Sequence, residues 1–325
     1  MISRAGQLSS LLTTTPLHGF RNLIINGNFD IWQRGTSQTS SGYGSDDRWF
    51  NGHNGYTKTH SRQSFTLGQT DVPGNPTYFS RTEITVAGST ASNHCNKRQL
   101  IESVRTLAGK TVTVTFWAKS DSNRNIAVEL VQNFGTGGTP SSEVTGIGVT
   151  TCALTTSWQK FSFTASLPSI SGKTLGSDGN DALILQFWFG AGSNYNARTN
   201  SLGHQTGIFD IARISVVPGD ATAEDDPFSP RHIQQEMALC ERYYQLLRVR
   251  HRWDAPIAGS IDARGYNLGV PMRTSPSVVA SVLSQVNVNA HSESSIFLKY
   301  INVSVTATAS GGADFAAILA CDAEL

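Results

Sequence analysis

The chain carries little charge, few cysteines and no long apolar run, and each shortage excludes a class of protein. Of its 325 residues 15% are charged, and the formal net charge is +1, whereas an average globular protein has about 25% charged residues. A near-neutral chain lacks the attraction through which proteins usually bind nucleic acids or anionic membranes. We therefore expect no nucleic-acid partner. No apolar run approaches the ~20 residues of a membrane span, so we also expect no membrane insertion.

The four cysteines are Cys95, Cys152, Cys240 and Cys321. None of them forms the CxxC pair of a zinc ribbon or a thioredoxin-like redox site. Cys240 lies on an apolar helical stripe and Cys321 in an apolar run, which is typical of small buried hydrophobic residues rather than of disulfides. The N-terminus lacks a cationic start followed by a continuous apolar region, so it predicts no signal peptide.

Catalytic motifs are also missing. The eight histidines form no HxxxH or HExxH arrangement, and there is no GxSxG nucleophile elbow. Glycoside cleavage needs two carboxylates beside one bond. Asp46 and Asp47 could be nominated, but their turn-rich loop explains aspartates there equally well. The sequence predicts neither an enzyme nor a cofactor.

What the sequence does contain is a series of short segments in which apolar and polar residues alternate. The clearest runs from Lys110 to Lys119, where valines and aromatic residues alternate with threonines at a period of two. Similar runs follow at 126–131, 158–164, 183–189 and 208–217. About eight or nine strands over ~200 residues, with no helical period, predict a mainly β fold with a jelly-roll β-sandwich at 21–220.

Residues 221–250 predict an acidic linker followed by a long connector helix. Ser229 suits an N-cap, and Pro230 suits the first helical position. Apolar residues then recur at spacings of four and three, which places them on one helical stripe. The stripe consists of Ile233, Met237, Cys240, Tyr244 and Leu247. Because these positions match the a and d positions of a heptad, we expect them to form an oligomer interface.

The two ends of the chain differ from the sandwich. Residues 251–325 contain further alternating runs and predict a small C-terminal β-sandwich. About 75 residues form a small core for an independent domain. We therefore expect this domain to pack against other parts of the protein or against copies of itself. Residues 1–20 are polar and are either a loose arm or a peptide that docks on a partner.

Loop aromatics of the first domain suggest a sugar-binding platform. An aromatic ring stacks on the apolar face of a pyranose, while Asn, Asp and Arg side chains hydrogen-bond its hydroxyls. Trp49, Tyr56 and Tyr195 lie in Asn- and Gly-rich contexts and are the predicted platform. For each of them, packing onto the core is the alternative. Three further tryptophans are interpreted as core residues: Trp117, Trp158 and Trp188.

Seven motifs, taken in order, resemble those of bacteriophage tail-fibre and related virion fibre proteins. They are NLIINGNFDIWQRG (22–35), DRWF (47–50), GKTVTVTFWAKS (109–120), TSWQKFSFT (156–164), FDIARISVVPGD (209–220), PFSPRHIQQEMALCERYYQ (227–245) and PMRTSPSV (271–278). The pair FDIAR and LCERYYQ is the most specific part. The first domain is also similar to jelly-roll carbohydrate-binding modules, in which an NLIxNGxFE-like strand pairs with the closing strand.

The resemblance implies a structural virion protein, made in the bacterial host cytoplasm, that recognises a host-surface glycan and assembles as a homotrimer. Residues 1–20 would then attach it to other tail or head proteins of the virion. Three alternatives stay open: a virion-associated polysaccharide depolymerase, a head-decoration or head-fibre protein without a receptor role, and a free carbohydrate-binding module.

The resemblance also bears on metal binding. Related carbohydrate-binding modules often end with two adjacent aspartates that help to hold a structural calcium ion. Ala212 and Arg213 occupy the matching positions here. Asp30 and Asp210 remain as possible oxygen ligands, but calcium needs six to eight oxygens. We therefore expect no bound metal.

Overall fold

The computed structural model describes residues 21–325, and these residues form mainly β structure, as predicted. The chain divides into two compact units. One ends at Ile233 and includes Leu325, and the other spans Gln234–Glu324. The docking role predicted for residues 1–20 lies outside the described residues.

The described part of the first unit contains eleven strands in two antiparallel sheets. The strands of one sheet are β1 (Ser37–Gln38), β3 (Thr57–Ser64), β4 (Tyr78–Val86), β6 (Thr111–Ser120), β9 (Gln159–Ser166) and β11 (Gly207–Pro218). They are arranged in the order β1-β3-β4-β11-β6-β9. The strands of the other sheet are β2 (Phe50–Asn54), β5 (His94–Glu102), β7 (Arg124–Asn133), β8 (Val144–Leu154) and β10 (Ala182–Ala191). Their order is β2-β5-β10-β7-β8. A 3-10 turn (Ser193–Tyr195) and the helix α1 (Asn196–Thr199) follow β10.

Strand β6 shows how alternation builds the sandwich. Val112, Val114 and Phe116 are fully buried in the core between the sheets, whereas Trp117 is half-buried on the outer face. The period-two prediction for this segment is therefore confirmed. The strands predicted at 126–131, 158–164, 183–189 and 208–217 are confirmed as well, by β7, β9, β10 and β11.

The N-terminal segment pairs with the closing strand β11, as the resemblance implied. The backbone N–H of Leu23 donates to the carbonyl of Val216 at 3.0 Å, and that of Ile214 donates to the carbonyl of Gly27 at 2.9 Å. A Cβ at Gly27 would lie 2.2 Å from the Ile214 carbonyl oxygen. Glycine is thus required at this position for the two segments to approach.

The interior of the first unit holds a buried ion pair. Lys97, on the inward side of β5, donates to Asp46 Oδ2 at 2.5 Å, and both side chains are fully buried. His60 Nε2 lies 3.0 Å from Asp46 Oδ1. Burial alone would raise the pKa of Asp46, but His60 and Lys97 together hold it well below its usual range. Burial lowers the pKa of Lys97 to about 8. The carboxylate is therefore ionised and tied to the two basic side chains.

The second unit consists of a short helix and two three-stranded antiparallel sheets. The helix α2 (Ile233–Glu241) begins at the boundary between the units. One sheet contains β12 (Tyr244–Ala255), β14 (Ser277–Val286) and β17 (Gly311–Asp322), in the order β12-β17-β14. The other contains β13 (Ile261–Asn267), β15 (Val288–Phe297) and β16 (Tyr300–Ala307), in the order β13-β16-β15. Inward-facing side chains such as Val303 and Phe315 form a core of its own.

The prediction of a long connector helix is wrong. Helix α2 ends at Glu241, and both Tyr244 and Leu247 lie in strand β12. Ser229 has a φ of 51° and stands four residues before the helix, so it is not the N-cap. A helix of nine residues cannot carry a heptad repeat. The predicted interface is therefore not one helical stripe: Ile233, Met237 and Cys240 lie on α2, and Tyr244 and Leu247 on β12.

The four cysteines are all buried, and none of them forms a disulfide. This confirms the interpretation of Cys240 and Cys321 as small buried hydrophobic residues. Burial raises the pKa of the Cys95 thiol to about 12, so it stays protonated at neutral pH. Among the described helices, none has both the length and the hydropathy that spanning a bilayer requires.

We predict that the first unit loses stability as the pH falls from about 6.5 to about 4. Burial lowers the pKa of His60 to about 4, whereas an unfolded histidine titrates near 6.5. Between these values the unfolded chain takes up a proton that the folded chain does not. The stabilisation is therefore complete above pH ~6.5, and up to about 3 kcal/mol is lost on the way to pH ~4.

Urea unfolding at several pH values measures this loss. The variant His60→Gln should lack most of the slope between pH 6.5 and 4. The variant should still lose the stability that depends on ionised Asp46. That loss occurs only below about 3.9, the pKa of an aspartate in the unfolded chain. An unchanged slope between pH 6.5 and 4 in the variant would show that His60 is not the group responsible.

Candidate functional site

The outer face of the five-stranded sheet carries polar and aromatic side chains around a cavity of about 160 Å³. We call it the sheet cavity. Its volume is below the ~300 Å³ of typical small-molecule pockets, so it encloses one small group and leaves the rest of a ligand outside. Its polar and aromatic lining residues include His94, Asn96, Arg98, Gln186, Trp188 and Tyr195.

Strand alternation and register bring these side chains together. Alternate residues of β5 point into the core, so Asn96 and Arg98 point outward. Asn96 lies opposite Trp188 of β10, and Arg98 lies opposite Gln186. On the other side Asn96 faces Gly52 of β2, where an added Cβ would lie 2.4 Å from Asn96 Oδ1. The glycine therefore makes room for the carboxamide.

A buried carboxylate fixes one wall of the cavity. Glu129 of β7 is fully buried, and its Oε1 accepts hydrogen bonds from Arg198 Nη2 at 2.6 Å and from Trp188 Nε1 at 3.1 Å. Its Oε2 accepts the backbone N–H of Gly146 at 2.7 Å. Helix α1, directly after β10, supplies Arg198, whose Cζ lies 5.1 Å from the centre of the Trp188 ring. The indole and the guanidinium are thus held in one geometry.

Tyr195 adds the most accessible aromatic ring. Its ring centre lies 5.0 Å from that of Trp188 and 5.2 Å from that of His94. Tyr195 is half-buried, whereas Trp188 is 1% exposed and lies beneath it. Burial is the main cause that lowers the pKa of His94, so this imidazole is neutral at pH 7. The rings of His94, Trp188 and Tyr195 therefore form an aromatic, uncharged part of the wall.

Two polar side chains of the cavity each have a buried atom that makes no hydrogen bond to any residue in 21–325, and the polar side chain of Gln186 lies beside them. Oδ1 of Asn96 and Nε of Arg98 are buried atoms, and Gln186 is only 2% exposed. Buried polar groups are normally paired, and an unpaired one costs roughly 1–3 kcal/mol. Groups of this kind are suited to hydrogen bonding with a ligand.

Two of the three residues of the predicted glycan platform belong to the core. Trp49 is fully buried, and its Nε1 donates to the carbonyl of Asn26 at 3.1 Å. Tyr56 is 5% exposed, and its hydroxyl hydrogen-bonds His204 Nδ1 at 2.6 Å. Neither ring presents a face to a sugar. Tyr195 does lie at the cavity, and its ligand-binding role stays a prediction.

Sequence reasoning missed the polar residues of the cavity. The segment HCNKRQL around Asn96 and Arg98 has no apolar alternation, because its inward side carries Lys97. Its two cationic residues, Lys97 and Arg98, are adjacent, so the charges follow no period of two that could have identified the strand. Of the tryptophans predicted as core, Trp188 is buried but borders the cavity. The other two are half-buried and contribute to the six-stranded sheet or its adjoining loops: Trp117 and Trp158.

The carboxylates nominated for catalysis are not available to a substrate. Asp46 is the buried partner of Lys97 and His60. Asp47 is 1% exposed, and its Oδ1 accepts the backbone N–H of Gln33 at 2.9 Å. Both acids therefore have a structural role.

Basic side chains lie at Asp210 and at position 213, where a calcium ion would be held in related modules. Asp210 Oδ1 accepts from Arg81 Nε at 2.7 Å, so this carboxylate already has a cationic partner. Arg213, at one of the positions that matches an aspartate in related modules, pairs with Asp226, and its Cζ lies 4.6 Å from the Phe228 ring. Asp226 is thus paired rather than simply solvated. Residues 21–325 contain no group of three or more His, Cys, Asp or Glu side chains that could hold a metal ion.

The variant Glu129→Gln tests the wall of the cavity. It should lower the free energy of unfolding by about 3 kcal/mol, the lower end for breaking a buried pair, because Arg198 is partly exposed. Urea unfolding at neutral pH measures the change. The control Asp121→Asn breaks the exposed pair with Arg124 and should cost less than ~1 kcal/mol. Equal losses in the two variants would contradict a structural role for the Glu129 pair.

Comparison with known proteins identifies part of the first unit. Residues 21–176 match the family model described as a carbohydrate binding domain. The match includes β5 and β7 of the cavity and ends before β10. No curated protein matches the chain.

Solved structures with similar folds are remote in sequence. One titled "CBM4 structure and function" is 20% identical, with a TM-score of 0.33, and the match covers 60% of this chain and 98% of that one. A putative sugar binding protein from Bacteroides thetaiotaomicron VPI-5482 is 12% identical, with a TM-score of 0.36 and coverage of 61% and 100%.

A third structure, the enzymatically active domain of Bacteriophage CBA120 tailspike protein 4, is 11% identical with a TM-score of 0.36. Its match covers 61% of this chain but only 21% of the tailspike chain. These structural similarities do not indicate a function, and the family match is independent of them. Residues 21–176 of the first unit are thus similar to the family described as a carbohydrate binding domain.

Proposed function

We propose that this protein binds a glycan of a bacterial cell surface through the sheet cavity, without cleaving it, as a fibre or tail-fibre subunit of a bacteriophage virion. The observation that carries the binding proposal is the presence of two buried, unpaired polar atoms, Asn96 Oδ1 and Arg98 Nε, in the cavity that Tyr195 also lines. The match of residues 21–176 to the family model of a carbohydrate binding domain supports a glycan as the ligand.

The chemistry of the cavity suits a sugar. A pyranose has apolar C–H faces and a rim of hydroxyl groups, each of which can donate and accept hydrogen bonds. Tyr195 offers a ring for the apolar face, while Asn96 and Gln186 each offer both a donor and an acceptor. These polar groups stand on neighbouring strands in fixed register, so they lose little conformational freedom when a ligand binds.

The virion role rests on the sequence motifs. The segments FDIAR (209–213) and LCERYYQ (239–245) resemble those of phage fibre proteins, and in this proposal residues 1–20 attach the subunit to other virion proteins. Electron microscopy of virions labelled on this chain is the direct test of that role.

Self-association forms the second part of the proposal, and strand β14 supports it. This strand lies at the edge of its sheet, and its sequence SVVASVLSQV contains no charged residue. Val279 is 65% exposed and Val286 is 60% exposed. Edge strands are usually protected by charges, by proline or by short length. An uncharged apolar edge of ten residues pairs well with the same edge of a second copy. We therefore propose a second copy of the chain as the partner of β14. The number of three subunits comes from the fibre resemblance.

The glycan-binding proposal predicts that Tyr195→Ala weakens binding to an array of bacterial cell-surface polysaccharides. The expected loss is roughly tenfold, since stacking on an aromatic ring is worth up to about 1.5 kcal/mol. Trp117→Ala is the matched control, because it removes a half-buried ring from the outer face of the six-stranded sheet. Failure of the wild-type protein to bind any polysaccharide, or equal losses in the two variants, would contradict the proposal.

The self-association proposal predicts an oligomer for the full chain at micromolar concentration. Val279→Lys combined with Val286→Lys should reduce it to monomers, because charged side chains on an edge strand oppose its pairing with another copy. Light scattering coupled to gel filtration measures the mass. Leu67→Lys is the control, since Leu67 is 93% exposed in the first unit and should not alter the mass. A monomeric wild-type protein would overturn the proposal.

A further inference from the structure

Arg98 occupies a fixed position in the sheet cavity. Its Cζ lies 4.4 Å from the centre of the Phe50 ring, and Phe50 is its register partner on β2. Phe50 is itself packed edge-on against Tyr43, with ring centres 5.3 Å apart. Stacking on an aromatic face holds the plane of a guanidinium and leaves its N–H groups directed sideways. The fork of Arg98 is thus oriented before any ligand arrives.

The other charged groups of the cavity already have partners. Arg198 forms an ion pair with the fully buried Glu129. Glu143 accepts a hydrogen bond from Asn133 Nδ2. Arg98, by contrast, has no ion-pair partner and no hydrogen-bond acceptor in 21–325, and its Nε is a buried atom. Among the described residues no carboxylate is therefore in direct contact with Arg98, and Glu143, which also lines the cavity, acts on it only from a distance.

This charge is costly to leave unpaired. Burial is the main cause that lowers the pKa of Arg98, and the nearby Arg198 lowers it further, while Tyr43 and Glu143 act in the opposite direction. Arginine nevertheless stays protonated in proteins. Taking a charge out of water costs free energy unless an opposite charge or several hydrogen bonds compensate. An anionic ligand group would supply both.

We propose that Arg98 binds the carboxylate of an acidic sugar, so that the glycan recognised by this protein is a uronic-acid type of polysaccharide. This inference rests on the proposed function. A planar carboxylate accepts two parallel hydrogen bonds from a guanidinium fork. Gln186 and Asn96, the neighbours of Arg98 across and along the sheet, then hydrogen-bond the hydroxyls of the same sugar. Tyr195 covers its apolar face.

The experiment compares acidic polysaccharides with uncharged versions of the same chains. The probes are alginate, polygalacturonate and hyaluronate, each in native form and after chemical reduction of the carboxylates to primary alcohols. Binding of the full-length protein is measured by affinity electrophoresis. We expect at least one native probe to bind, and its reduced form to bind roughly ten- to hundredfold more weakly, the range for hydrogen bonds to charged groups.

Variants of Arg98 assign the effect to this residue. Arg98→Gln should abolish the preference for the native form, and Arg98→Lys should keep part of it, because lysine retains the charge but not the fork. Arg62→Gln is the matched control: its Cζ also lies 4.4 Å from an aromatic ring, that of Tyr78, but on the six-stranded sheet. It should leave the preference unchanged.

The thermal midpoint separates a ligand-binding role from a structural one. Removal of an unpaired, partly buried charge should leave the midpoint of Arg98→Gln unchanged or raise it. A lowered midpoint together with an unchanged preference would overturn the inference and assign Arg98 a structural role. Equal binding of native and reduced probes by the wild type, or binding only of a sulfated polysaccharide without carboxylates, would also overturn it. If no polysaccharide binds, charged or neutral, it is the proposed function that fails.

Discussion

The first unit depends on a charge that strand β5 carries into the interior. Lys97 is fully buried, its Nζ lies 5.4 Å from the centres of the Phe29 and Trp49 rings, and its ionised partner is Asp46. A charge in such surroundings is tolerated only when its partner stays in place, since removing one member of a buried pair costs about 3–5 kcal/mol. The pair therefore ties β5 to the loop before β2 and fixes the position of that strand in the sheet.

The same constraint determines the geometry of the sheet cavity. In a strand, neighbouring residues point to opposite faces, so Asn96 and Arg98 are held on the outer face by the residue between them. From the other side the cavity is bounded by Glu129, which accepts hydrogen bonds from Arg198 and Trp188. Two ion pairs, Lys97 with Asp46 below the sheet and Arg198 with Glu129 beside the cavity, thus fix the surroundings of the unpaired atoms. These atoms are Asn96 Oδ1 and Arg98 Nε.

Much of the fold follows from residue alternation in the sequence. Segments such as Thr111–Ser120 alternate valine with threonine, and the period of two predicts the strand because one face is apolar and the other polar. Alternation failed for β5, because Lys97 and Gln99 occupy inward positions that are normally apolar. Which charges pair inside a protein depends on residues distant in the sequence, here 51 positions apart, and a local pattern contains no such information.

The helix was overpredicted for a related reason. Between Cys240 and Leu247 the helical period and the strand period coincide in part, so spacings of three and four did not distinguish them. The run RVRHR that follows alternates strictly, with Val249 and His251 buried and the arginines exposed. Read backwards, that period of two reaches Leu247 and Gln245 on the inward side, but Tyr244 is also buried and does not follow it. A pattern at the junction of two elements fits both, and only the pairing of β12 with β17 along its full length decides between them.

The candidate site was hard to predict because the sequence shows residue types but not exposure. Trp49 and Tyr195 both lie in loop-like contexts, yet Trp49 packs in the core, and Tyr195 borders the cavity through a turn and a helix of four residues. The polar members of the site stand on strands, where they are rigid. A ligand therefore meets donors and acceptors that are already oriented, and the free energy of each new hydrogen bond is not offset by ordering a flexible loop. A site built in this way discriminates by the position of the polar groups on its ligand. A hydroxyl or carboxylate displaced along the sheet would leave the buried atoms Asn96 Oδ1 and Arg98 Nε unpaired.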